Sequence, residues 1–220
     1  MKKAFTFIAV AAAMLATGTA KAQLGINIGY APVTLTTKVT SGNTTSTSSS
    51  DMNGFFVGAN YNYGISKDLG VSFGLQARYN TKTSTGSANF VVVSGNDKST
   101  TTQILLDVPV LFNYNFHLGG SAKLSAFAGP VFSYAVYGNT HVTSTTTILG
   151  STSTSETDYA MYDDNSSNER FDLTVALGLQ FQYSDFRLFG GYRLGLTDLN
   201  SNDNVKTTTS GLFVGLGYAL

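Results

Sequence analysis

Alternation with a period of two recurs along this chain and limits its folds more than any composition figure does. Val71, Phe73, Leu75, Ala77 and Tyr79 fall on one face of an extended backbone, and Ser72, Gly74, Gln76, Arg78 and Asn80 on the other. Phe171, Leu173, Val175, Leu177, Leu179, Phe181 and Tyr183 repeat the pattern against Asp172, Thr174, Ala176, Gly178, Gln180 and Gln182. A period of two marks a strand with different surroundings on its two faces. Here the greasy face carries aromatics near its ends, while the other is rich in Gly and amides. That combination fits a barrel standing in lipid. A soluble sandwich or lipocalin would turn the apolar face inward and expose Lys and Glu on the other.

Eight such segments are expected, at about 23–38, 53–64, 70–82, 102–116, 123–140, 170–184, 186–197 and 207–220. Short turns (Ser66-Lys67-Asp68, His117 to Ser121, Ser184-Asp185) alternate with long connections near 40–52, 83–101, 141–169 and 198–206. Short periplasmic turns and longer outer loops belong to outer-membrane barrels. The fold class is therefore all-β, an eight-stranded antiparallel up-and-down transmembrane β-barrel. The fifth segment is the least regular. Its even positions are the more apolar, yet Phe127, Val131 and Tyr137 stand opposite them.

The first 22 residues read as a cleaved signal peptide preceding the barrel domain of residues 23–220. Lys2 and Lys3 precede an apolar run from Ala4 to about Ala16, and Ala20-Lys21-Ala22 is a small-x-small cleavage site. The apolar run is too short to span about 30 Å of hydrocarbon. Removing Lys2, Lys3 and Lys21 from 13 basic and 13 acidic residues leaves the mature chain slightly acidic. A nucleic-acid partner is thereby excluded. With no cysteine there is neither a lipidation site nor a disulfide framework.

The inward face holds the residues of most interest. Counted from their periplasmic turns, Arg78 and Asp107 lie at similar height on neighbouring strands. Asp172 and Arg193 also face inward on neighbours, with heights that match less well. A buried ion is costly unless paired and hydrogen-bonded. The expectation is a structural interior network of Arg78, Asp107, Asp172 and Arg193, with Gln76, Asn113, Gln180 and Asn60 around it. Eight strands enclose an interior that side chains just fill, so a plug is favoured over a conducting constriction.

No catalytic, cofactor or metal residues are assigned. His141 and the Ser and Asp residues of the third loop could form a hydrolase triad on paper, but nothing positions an oxyanion hole. Asp198, Asn200 and Asn202 open like a calcium loop, yet Asp203 stands where Gly is needed and Thr209 where the bidentate Glu belongs. The acidic third loop (Glu156, Asp158, Asp163, Asp164, Glu169) reads as a solvated charged loop rather than a weak site for divalent cations near lipopolysaccharide. The Ser/Thr tracts of 41–50 and 143–154 read as mobile, solvated spacers on the outer surface rather than an adhesive or glycan-bearing one.

Three elements carry a family resemblance. Leu105-Leu106-Asp107-Val108-Pro109-Val110-Leu111-Phe112-Asn113-Tyr114, Ala128-Gly129-Pro130-Val131-Phe132 and Gly190-Gly191-Tyr192-Arg193-Leu194-Gly195-Leu196-Thr197-Asp198-Leu199 resemble strands of the PorT-like, "porin family" outer-membrane β-barrels of the Bacteroidetes. The long Ser/Thr loops are not a hallmark of that family. The resemblance implies a small outer-membrane barrel with a structural or surface-interaction role, or alternatively a transport or secretion accessory. Its partners would be outer-membrane lipid and lipopolysaccharide, the barrel-assembly machinery during insertion, and a secretion partner or extracellular ligand at the loops. Pro109 and Pro130 remove ladder donors and are expected to mark bulges or bends.

Overall fold

A computed structural model describes residues 22–89, 93–149, 151–163 and 166–220. Apart from Ala22, the leader expected over 1–22 lies outside the described residues. The strands are β1 (Ala22–Tyr30), β2 (Val33–Ser41), β3 (Thr44–Gly64), β4 (Leu69–Asn89), β5 (Val93–Gly119), β6 (Ala122–Ile148), β7 (Ser151–Ala160), β8 (Phe171–Tyr183), β9 (Phe186–Gly195) and β10 (Val205–Ala219).

All pairings are antiparallel, and they close on themselves. β1 and β2 occupy one place between β3 and β10, the chain continues round through β4, β5, β6, β8 and β9, and β9 returns to β10. β7 pairs only with β6, above the ring. The result is an eight-stranded barrel. Closure answers the demand of hydrocarbon that every backbone group find a partner within the protein.

The outward face sorts by height. Tyr63, Tyr114, Phe116, Tyr183, Phe186 and Tyr218 form one exposed aromatic belt, and Tyr30, Phe55, Tyr79, Tyr134, Tyr137 and Phe171 the other. Between them lie exposed aliphatics such as Ile28, Val57, Leu75, Leu106, Leu177, Leu188 and Leu216. Large apolar side chains left bare in a water-soluble protein would form an aggregation surface. Bracketed by aromatic belts, they form the lipid-facing band.

Irregularities fall at particular residues. Pro32, without an N–H, separates β1 from β2, but both keep one register against β3 and β10. Of the bulges or bends expected at Pro109 and Pro130, neither residue marks a bulge, since neither causes a register shift. The ladder lapses around each proline and resumes in the same register. Gly74 makes room for the first, since a Cβ there would lie 2.7 Å from Pro109 Cγ. The shift within the wall comes between Ile104 and Leu105, where β6 carries the extra residue Val136. It explains the mixed parity of this strand: Ala135 faces in, and beyond the bulge Tyr137 faces out.

The long connections differ from the mobile spacers the sequence suggested. β2–β3, β4–β5 and β6–β7 continue as ladders beyond the outer belt, to Ser41↔Thr44, Asn89↔Ser94 and Ile148↔Ser151. Thr is β-branched and suits a strand. Cross-strand hydroxyl pairs such as Thr83–Thr100, Thr101–Thr140 and Thr147–Thr152 join neighbouring strands. Low complexity here accompanies an ordered sheet in the order β4-β5-β6-β7. Leu177 stands midway between the belts on β8. Leu177→Arg is expected to cost about 2–4 kcal/mol of folding free energy in lipid, while Thr154→Arg on β7 leaves it unchanged. Denaturant titration of the chain refolded into vesicles checks both.

Candidate functional site

The interior is built in layers. Its centre is Asp107 on β5, with no solvent exposure. Asp107 pairs directly with Gln76 on β4, which places Arg78 one diagonal step away, within reach of a long side chain. Arg78 Nε lies 3.0 Å from Asp107 Oδ2, and its Nη2 donates to Asp107 Oδ1 at 3.2 Å. Arg193, from β9 across the lumen, donates through Nη1 to Asp107 Oδ2 at 2.7 Å and through Nη2 to Gln76 Oε1 at 3.3 Å. Its guanidinium also sits 5.3 Å from the Phe213 ring centroid, in cation–π range.

The structure therefore brings Arg78, Asp107 and Arg193 together but not Arg193 and Asp172. Arg193 pairs in register with Ala176, four residues down β8 from Asp172, which is about 13 Å along a strand. Asp172 instead accepts from Thr197 Oγ1 at 2.7 Å and Thr209 Oγ1 at 2.6 Å. Of the surrounding amides expected, Gln76 joins the cluster. Asn113 donates to Ser72 Oγ at 2.7 Å, and Asn60 accepts from Arg187, both nearer the periplasmic end.

Above this cluster Tyr162, two residues past β7, lies at the mouth. Tyr162 OH accepts from Gln103 Nε2 at 3.1 Å, and Arg170 donates to the Tyr162 carbonyl at 2.6 Å while lying 5.1 Å from its ring centroid. Gly138 leaves the space, since a Cβ there would lie 2.5 Å from the Tyr162 ring. Below the cluster lies an apolar layer the sequence reading missed. Phe56, Phe127, Phe189, Phe213, Val131 and Ala176 pack inside the barrel, with Phe56–Phe189 and Phe127–Phe213 ring centroids 6.2 and 6.1 Å apart. The signal was present in the glycines facing these rings. A Cβ at Gly29, Gly178 or Gly215 would strike Phe56, Phe127 or Phe189 at 2.4–2.5 Å.

The outer residues weighed for chemistry fall in separate places. His141 and Asp158 are direct partners across β6–β7, with Nδ1 2.9 Å from Oδ1, and Thr143 Oγ1 lies 3.4 Å from His141 Nε2. Both partners are exposed. His117 lies 3.4 Å from Asp68 at the periplasmic turns. In the last loop Asp198, Asn200 and Asn202 direct side-chain oxygens onto the amides of Asn200, Asn202, Asn204 and Thr207, so those oxygens serve as turn caps.

A closed antiparallel barrel with two aromatic belts, a lipid-facing band and a side-chain-filled core defines a small outer-membrane barrel. Residues 16–201 match the family described as outer membrane protein beta-barrel domain, and the chain belongs to that family. Its place is the bacterial outer membrane. Among solved structures it is similar to the attachment invasion locus protein Ail of Yersinia pestis (18% identity, 90% of this chain and 98% of that chain, TM-score 0.33). Neisserial surface protein A is similar at 14% identity (89% and 96% of the two chains, TM-score 0.31). The N-terminal β-barrel domain of Pseudomonas aeruginosa OprF follows at 11% identity (91% and 100%, TM-score 0.29). No curated protein matches the chain.

Asp107→Asn would leave two buried guanidiniums without the carboxylate that both of them bond, which costs about 3–5 kcal/mol. Replacing Arg78, Asp107 and Arg193 together by apolar residues of similar volume is expected to restore most of that loss. Denaturant midpoints of the refolded variants measure it. In the outer sheet, hydrogen bonds from Asn139 and His141 hold the Asp158 carboxyl below its usual range. A carboxylate whose folded pKa is depressed stabilises the hairpin above its unfolded value of about 3.9 and loses that contribution as pH falls through the folded value. Protection of the Thr157 and Tyr159 amides, corrected for the intrinsic pH dependence of exchange, should therefore fall below about pH 4, and Asp158→Asn should remove that fall.

Proposed function

We propose that this protein is a closed outer-membrane scaffold that presents an ordered polar sheet to the cell exterior for surface interaction. One observation carries the reading: β4–β7 continue as a hydrogen-bonded sheet past the outer belt, above a lumen filled by Arg78–Asp107–Arg193 and covered by Tyr162. A plugged lumen does not serve bulk transport. A rigid polar sheet offers an extracellular ligand two faces of hydroxyls at little ordering cost. Lipid and lipopolysaccharide surround the belts, and the barrel-assembly machinery inserts the chain.

The PorT-like resemblance of the β5, β6 and β9 motifs supports the alternative of a secretion accessory, with the periplasmic turns as its contact. Those motifs lie on barrel-building positions. Pro109 and Gly191 serve close packing, and Arg193 closes the lumen. Two measurements test the reading. Wild-type protein in planar bilayers should show no large steady conductance, with at most small openings in Arg78→Ala. A large stable wild-type pore would overturn the closed scaffold. Shortening the β6–β7 hairpin to a tight turn should impair surface attachment and leave secretion intact. Lost secretion with unchanged attachment would favour the accessory role.

A further inference from the structure

Charge is not balanced evenly along the lumen. In the upper layer Arg78 and Arg193 are matched by Asp107 and Asp172. Towards the periplasm the inward face carries two more cations, Lys123 on β6 and Arg187 on β9. They lie in one cross-strand row, Lys123–Gln182–Arg187. Neither forms a salt bridge: the carboxylates in ion pairs among the described residues are Asp107, Asp68 and Asp158.

Arg187 is the sharper case, because it is 4% exposed. Its Nη2 donates to two neutral acceptors, Asn60 Oδ1 at 3.3 Å and the Tyr218 carbonyl at 3.2 Å, while its buried Nε has no hydrogen-bond partner among the described residues. Gly25 and Gly217 hold the guanidinium in place. A Cβ at Gly25 would lie 1.7 Å from Arg187 Nη2, and one at Gly217 would lie 3.4 Å from Nε. A buried cation with neutral partners alone is an expensive arrangement, and this one is built into the barrel wall.

The guanidinium lines a cavity of about 70 Å³ between the ion cluster and the periplasmic end. Arg193 faces the same cavity from above, with Asn27 and Asn60 at the side. Phenyl rings of Phe56, Phe127, Phe189 and Phe213 make much of its wall. Ring edges carry partial positive charge. The space is that of a few waters. A small, weakly hydrated monovalent anion suits such a site. A polyvalent oxyanion would forfeit more hydration than this largely apolar wall returns.

We propose that the lower lumen binds a halide, chloride in the cell, against the Arg187 guanidinium, with Lys123 raising the local positive potential. The bound anion supplies the negative charge that this half of the interior lacks. The site is a counter-ion site within the closed barrel and does not require a conducting path.

Crystals of the full mature chain grown in sodium bromide test this directly. An anomalous bromide peak within hydrogen-bond distance of Arg187 is expected, and it should be lost in Arg187→Gln. In solution, ³⁵Cl line broadening by micellar protein should exceed that of R187Q and be competed by bromide, and Lys123→Gln should weaken it several-fold. Ordered water with no bromide at Arg187, or equal broadening by wild type and R187Q, overturns the proposal. Should R187Q fail to refold, the bromide map of the wild type decides alone.

Discussion

Ring closure in hydrocarbon is the constraint on which the rest of this structure depends. A strand edge left open in lipid costs several kcal/mol for each unsatisfied backbone group, so the first strand must find the last. With eight places in the ring, closure also sets the bore, and that bore is one that side chains fill. Every inward residue then faces the opposite wall as well as its own neighbours. Arg193 shows the consequence, because it bonds to Asp107 three places away round the ring.

Filling a narrow bore requires large and small residues to alternate between facing positions. The aromatic layer solves this by laying rings onto backbone. Phe56 lies over Gly29, Phe127 over Gly178 and Phe189 over Gly215. The ionic layer solves it differently, with two flat guanidiniums sharing one carboxylate. Asp107 alone could not be neutral towards both arginines. Asp172, satisfied by Thr197 and Thr209, provides the second negative charge a short way above. The upper interior is thus neutral as a layer although it is not composed of simple pairs.

The wall was largely legible in the sequence, because alternation is local and each strand declares its own lipid face. Arg78 and Asp107 were legible for the same reason: they lie on neighbouring strands, and the height of each follows from counting residues from its own periplasmic turn. Arg193 was legible as a member of the network but not its partner, because Asp107 is not on a neighbouring strand. Cross-lumen proximity depends on the stagger accumulated round the ring, which no single hairpin reveals. The parity conflict at Phe127, Val131 and Tyr137 was visible, but it mixed two causes, an apolar interior layer and a bulge at Val136. The outer tracts were misjudged as mobile because composition was weighed without pairing. Thr and Ser bury no core, yet once the barrel fixes the bases of adjacent strands, extending a ladder needs little loop closure and adds hydroxyl pairs at each step.

The two ends of the lumen therefore differ in kind. At the outer end Tyr162 and Arg170 cover the mouth with a stacked, hydrogen-bonded pair. At the periplasmic end Arg187 lines a cavity with Asn27 and Asn60 beside it, and Lys123 lies in the same cross-strand row. A plug whose charges were all internally matched would have no reason to carry an arginine in a glycine cradle beside a cavity. The ion cluster is held together by Asp107 and its two arginines, and the surplus positive charge beneath them is a separate feature, positioned by Gly25, Gly217 and Asn60.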